Sequence, residues 1–278
     1  MKRLIVSGDD FGLHPLINQG IVEAHQHGIL TSTSIVACGQ AFEDAVNLAK
    51  QNPKLGVGVH LTFVEENPVL NPSEIPSLMA SQGRFPASWK GFLTRFLTGR
   101  IRKEELQRET EAQIAKAVDA GIQPTHVDSH QHLHMWPRVW EIIVPVLKKF
   151  KVPAIRMVMH EVISDHRGWK SRGLEYLSRR LLPRVQQTGM WCPDHVAGTS
   201  LGGHITSEIV DKLLNHLPKS TTELICHPGK SNQELDGRYN WGYNWEEELA
   251  ALTSPTISAK IAERSIQLCR FEPGDGIG

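Results

Sequence analysis

No run of this sequence approaches the roughly 20 consecutive apolar residues that a membrane-spanning helix requires, so no integral membrane segment is expected. Charge of one sign is missing too. The 30 Lys and Arg are balanced by 30 Asp and Glu, and a chain without a global field gives no reason to expect nucleic acid or an anionic membrane as partner. Cysteine is scarce, with 4 in 278 residues. Cys38, Cys192, Cys226 and Cys269 lie far apart with no CxxC pair, which argues against a thiolate zinc site or a disulfide scaffold and for reduced, mostly buried thiols. Internal repeats and low-complexity tracts are absent. Strand-like sequence begins at Leu4, directly after Met1-Lys2-Arg3. That leaves no room for a signal peptide, and the expected location is the cytoplasm. The expected partner is a small molecule.

What is present suits one large α/β domain. A hydrophobic content of 40% over 278 residues can bury a substantial core. Short apolar, β-branched runs alternate with longer helical patterns, as in parallel strands joined by helices. Strands are predicted at Leu4–Ser7, Ser34–Ala37, Gly56–Leu61, Thr125–Ser129, Ala154–Met159 and Glu223–Cys226, with a weaker one near Gln267–Phe271. Helices are predicted at Leu16–Gln26, Phe42–Gln51, Glu104–Ala120, Trp136–Phe150 and Ser207–Leu217, with Gly28 and Gly121 as stops. Six to eight mostly parallel strands can close a (β/α) barrel, here expected over residues 1–272 with a flexible tail at 273–278.

Two stretches interrupt the alternation. Residues 63–102 form a long insertion with Pro68, Pro72, Pro76 and Pro86 and the aromatics Phe85, Trp89, Phe92 and Phe96. Such a connection suits a substrate lid or wall, or a surface excursion with its own small core. Residues 167–203, rich in Arg, Trp and Gly, suit a second lid, a solvated helix face, or a contact with another copy of the chain in a homodimer.

The most informative segment is THVDSHQHLH at Thr125–His134. If it is extended throughout, His126, Asp128, His130, His132 and His134 line one face. Burying such a row unpaired is costly, whereas imidazole nitrogens and carboxylate oxygens bind divalent metals. Other polar residues fall at predicted strand ends, where parallel α/β folds build their sites. Asp9 and Asp10 adjoin at the tip of the first strand. Two carboxylates this close repel unless a cation or hydrogen bonds stabilise them, and helix capping explains one of them but not both. Gly8 and Gly12 are expected to supply the bend between them. His60 interrupts the apolar run GVGVHL, His227 follows another strand and suits a general acid, and Arg156, inside a strand pattern, demands a carboxylate partner, for which Asp9 is the candidate.

The DDFG at Asp9–Gly12, GVHLT at Gly58–Thr62, THVDSHQHLH at Thr125–His134 and CHPG at Cys226–Gly229 together resemble the YdjC-like carbohydrate deacetylases. That family includes chitooligosaccharide deacetylases and relatives associated with hopanoid biosynthesis. The motifs stand in the family's order over nearly the whole chain. The resemblance implies a distorted (β/α) barrel binding one divalent ion, magnesium or zinc, with Asp10, His60 and His130 as ligands and Asp9 as base. It implies removal of acetyl from an N-acetylated sugar, either a chitooligosaccharide or a glycosylated lipid headgroup. In that scheme Arg156 orients Asp9 and His227 protonates the departing amine. Two rivals are weighed against it. One is another metal-dependent amidohydrolase or phosphoesterase using His130-Gln131-His132 as paired ligands. The other is a non-catalytic protein in which the ion serves binding alone.

Overall fold

Strands that are apolar along their whole length, instead of at alternate positions, must be covered on both faces, as in a parallel sheet flanked by helices. GVGVHL at Gly56–Leu61 is apolar up to its final His60–Leu61, and every residue of it and of TTELIC at Thr221–Cys226 is buried. The computed structural model describes residues 1–81, 83–163 and 169–272. Its strands are β1 (Arg3–Phe11), β2 (Ser32–Ile35), β3 (Gly56–Leu61), β4 (Val127–Ser129), β5 (His195–Ala197), β6 (Thr221–Cys226) and β7 (Gln267–Leu268). The helices are α1 (Pro15–His27), α2 (Phe42–Gln51), α3 (Trp89–Leu97), α4 (Lys103–Asp119), α5 (Pro137–Lys149), α6 (Trp169–Gln186), α7 (Ser207–His216), α8 (Asn232–Tyr239), α9 (Trp245–Leu252) and α10 (Pro255–Glu263).

Six parallel strands run in the order β4-β3-β2-β1-β6-β5, and β7 adds a short parallel pairing to the start of β1. The sheet curls into a distorted barrel. Between β4 and β5, among the described residues, there is no continuous ladder, only single bridges from Ile155 to Val127, from Ala154 to Trp191 and from Glu161 to Val196. The strand predicted at Ala154–Met159 is therefore reduced to isolated bridges. Arg156 still donates its N–H to Val127, but beyond it the chain leaves this ladder and Val162 pairs with Val196 instead. Among the described residues no helix is long and apolar enough to cross a membrane.

The helix boundaries follow local chemistry. In α1, Pro15 occupies the first turn, where a missing N–H costs nothing, and His14 Nδ1 accepts the Leu16 N–H at 3.2 Å. The irregular start of the 63–102 insertion satisfies its backbone through α4. Glu109 accepts the N–H groups of Val69 and Leu70, Glu105 accepts that of Ser77, and Gln113 bonds both N–H and C=O of Thr62. The insertion's aromatics join the main core instead of building a separate one, with Phe63 stacked on Phe92 at 5.9 Å and Phe92 on Phe96 at 5.8 Å. Most of the predicted loop region 167–203 is helix α6 and strand β5, while residues 167–168 and the tail 273–278 lie outside the described residues.

Candidate functional site

Parallel strands deliver their carboxyl ends to one edge, and the polar residues singled out above meet there. β1 carries one more residue than β2 between the pairs Gly8–Thr33 and Phe11–Ile35. The extra residue is accommodated as a bulge with Asp10 in the left-handed region at φ 69, a conformation Asp tolerates better than most side chains. The bend thus lies at Asp10 and at Gly12, which sits at φ 92, while Gly8 keeps an ordinary backbone. It lets adjacent carboxylates serve different partners. Neither caps α1, since His14 does so.

Register brings His60 opposite Asp128 across β3 and β4. His60 Nδ1 lies 2.9 Å from Asp128 Oδ1, which leaves Nε2 3.5 Å from Asp10 Oδ1. His130 mirrors this arrangement. Its Nε2 meets Glu65 at 3.1 Å, and its Nδ1 stands 3.3 Å from Asp10 Oδ1. Each imidazole is therefore held by a carboxylate on one nitrogen while the other points at Asp10, the orientation that fixes the tautomer of a metal-ligating histidine. Asp10 Oδ1 is buried and has no hydrogen-bond partner. The three donor atoms lie within 4.8 Å of one another, and a carboxylate with two imidazoles is a donor set that suits a divalent cation.

The electrostatics agree. Burial opposes charge at all three residues, yet His130, His60 and His227 hold Asp10 down to about 2. Against the same burial, Asp10 and Glu65 raise His130 to about 10, and Asp128 raises His60 above 6.5. A negative field strong enough to favour two imidazoliums also favours a cation that would displace their protons.

Asp9 points the other way and pairs with Arg156, as expected. The Arg156 Nη1 and Nη2 groups donate to Asp9 at 2.6 and 2.7 Å. The same fully buried guanidinium also meets Asp128, and donates to Glu223 at 2.7 Å and Ser7 at 3.2 Å. One cation thus answers three carboxylates. Burial pushes Glu223 up to about 7 even beside that charge.

The expected row of five polar side chains does not survive. β4 ends at Ser129, and left-handed backbone at Gln131 and His132 (φ 56 and 55) turns the chain aside. His126 is buried and stacks on Phe271 at 3.7 Å. His134 is buried between Ser129 Oγ and the Arg156 carbonyl. Asp128 and His130 belong to the cluster. His132 lines a cavity of about 810 Å³ together with Asp9, His60, His130 and His227. Among the described residues no cluster of three or more metal-capable donors contains both His130 and His132; the one that gathers His130 holds Asp10 and His60.

His227 follows β6. Its backbone N–H donates to Glu248, its Nδ1 is buried without a partner, and its ring lies 4.9 Å from that of Tyr243. Burial lowers its pKa below 6.5, although Asp9 and Asp10 oppose the shift. Burial also drives Glu248 up to about 8, against the N–H groups of His227, Ile205 and Gly203. A carboxyl that binds its proton more tightly folded than unfolded makes stability fall as pH rises, here between 4.5 and about 8. The melting temperature of the wild-type chain should therefore decline across that window relative to Glu248→Gln. Parallel curves would show that Glu248 does not stay protonated.

Sequence reasoning missed Glu65, Glu223, Glu248 and Trp241, whose ring lies 5.3 Å from that of His130. Glu223 carried a signal, being a carboxylate within a buried apolar run, as did the aromatic-rich segment from Tyr239 to Trp245. Glu65 carried none, since it reaches His130 through a left-handed turn at φ 68 inside the insertion.

The family model described as YdjC-like protein matches residues 3–263. A carbohydrate deacetylase of Geobacillus stearothermophilus is 32% identical over 271 residues, covering 97% of each chain. A carbohydrate deacetylase of Homo sapiens is 29% identical over 297 residues, covering 98% of this chain and 91% of that protein. Among solved structures, that of a candidate cellobiose-phosphate cleavage protein from Enterococcus faecalis V583 matches with a TM-score of 0.79 at 28% identity, covering 97% of each chain.

Proposed function

Because the chain belongs to the YdjC-like protein family, we propose that it is a metal-dependent deacetylase that hydrolyses the acetamide of an N-acetylated sugar. The observation that carries this reading is the orphaned Asp10 Oδ1 facing His60 Nε2 and His130 Nδ1 beside a cavity lined by Asp9 and His227. Those three residues would hold one divalent cation, magnesium or zinc. When bound, it supplies Lewis acidity, stabilising negative charge that develops on oxygen.

The remaining chemistry belongs to the chain. Asp9, oriented by both N–H edges of Arg156, accepts a proton from the attacking water while each of its oxygens keeps a free lone pair. His227, anchored on Glu248, delivers a proton to the amine nitrogen as the C–N bond breaks. Asp128 and Glu65 keep the His60 and His130 rings from rotating away.

The cavity wall bears on the sugar's attachment. Trp89, Trp136, Leu174 and Leu177 form an apolar side, and Tyr176 also lines the cavity while 57% exposed. That surface suits a glycolipid headgroup as well as the apolar faces of a chitooligosaccharide. Acetate release from N,N′-diacetylchitobiose and from an N-acetylglucosaminyl lipid tests the proposal, each with and without chelator. Release from at least one, lost on chelation, is expected. No release from either, or release indifferent to chelator, contradicts it.

A further inference from the structure

The cavity is also lined by Gly198, Thr199, Ser200 and Gly202, from the loop of residues 198–203 that follows β5. Among the described residues, four buried hydroxyls lack a hydrogen-bond partner: those of Ser32, Thr199, Ser200 and Thr222. Thr199 and Ser200 line the cavity, whereas Ser32 and Thr222 do not. A buried hydroxyl left unpaired is unfavourable, so two in sequence on a binding wall point to a ligand that supplies the partners.

The loop is fixed before any ligand arrives. Gly198 donates to Glu161 at 2.9 Å, Leu201 to the Gly198 carbonyl at 3.0 Å, and Gly203 accepts from Asn244 at 2.7 Å. Gly198 and Gly203 sit at φ 96 and 81, and a Cβ there would lie 2.3 Å from the Ile225 carbonyl or 2.2 Å from the Tyr243 ring. No other residue fits at either place. A Cβ on Gly202 would lie 3.3 Å from the His227 ring, so the loop abuts the residue that faces the scissile nitrogen. The His132 Nδ1, also buried and unpartnered, lines the same cavity.

We infer that Thr199 and Ser200 are specificity-determining residues whose hydroxyls, presented by this rigid loop, bind hydroxyl groups of the sugar next to His227. This rests on the cavity being the sugar site. A hydroxyl donates one hydrogen bond and accepts two, so the pair matches a vicinal diol, and a site built this way penalises an analogue that lacks the matching group.

The test is calorimetric affinity for N,N′-diacetylchitobiose, measured on cation-loaded protein in an Asp9→Asn background that leaves the sugar intact. Thr199→Val with Ser200→Ala should weaken binding by ~tenfold or more, each single change by ~threefold, and Thr199→Ser should restore affinity to near the parent's. If the double variant does not fold, the single variants decide. Affinity unchanged within about twofold, or a parent that does not bind the sugar, overturns the inference. Sugar binding by the wild-type chain without acetate release overturns only the deacetylase reading.

Discussion

Arg156→Met should cost the fold roughly 3–5 kcal/mol or more, a large share of the about 5–15 kcal/mol that stabilises a typical domain. Methionine approximates the volume, so the loss is electrostatic. The guanidinium is fully buried and is the common partner of Asp9, Asp128 and Glu223. Removing it leaves carboxylates in a site that already pushes Glu223 up to about 7 with the arginine in place. Protonation relieves such a defect, so the deficit should narrow as pH falls below neutrality. Urea denaturation of both proteins at two pH values checks this. A variant within about 1 kcal/mol of wild type would show that the carboxylates find other partners. Arg156→Lys should fall between, because one ammonium cannot reproduce the bidentate contact to Asp9 while reaching Glu223.

Asp9→Asn should lower acetate release by about 10²–10⁴-fold, the usual contribution of a positioned base. Asparagine keeps the shape, and although Asp9 also groups with His60 and Asp128, the proposed ligands are Asp10, His60 and His130, so cation stoichiometry should be unchanged. Its amide N–H₂ would face an Arg156 donor where a carboxylate oxygen accepts a hydrogen bond at 2.6 or 2.7 Å, and a modest loss of stability should accompany the loss of rate. Steady-state kinetics with metal analysis of the same sample distinguishes the outcomes. Acetate release within about tenfold of wild type would remove Asp9 from the role of base.

Sequence pattern carried the fold where periodicity or burial was strong. β3 and α2 occupy the predicted residues, and β1 begins a residue early and runs on through the bulge. β5 went unseen because three residues beside Pro193 and Asp194 make too short a run, whereas α6 was anticipated only as a solvated helix face without bounds, because its Arg-rich face hides the apolar stripe of Leu174, Leu177 and Leu181. That Asp10, His60 and His130 come together was partly legible, because Asp10 and His60 are charge or imidazole at the ends of apolar strands. What the sequence could not show was where β4 stops. An extended segment would have aligned five side chains, but left-handed backbone at Gln131 and His132 is a tertiary outcome, stabilised in part by Gln131 bonding Glu65 and the Trp89 N–H. The bulge at Asp10 is of the same kind, since alternation along β1 would have sent Asp9 and Asp10 to opposite faces.

Zinc titration of chelator-stripped protein, followed by calorimetry, bears most directly on the shared centre. The wild-type chain should bind one ion per chain, and His60→Ala and His130→Ala should each lose that binding or weaken it by at least about 100-fold. Equal affinity in wild type and both variants, or no binding to the wild-type chain, would contradict a cation held by Asp10, His60 and His130.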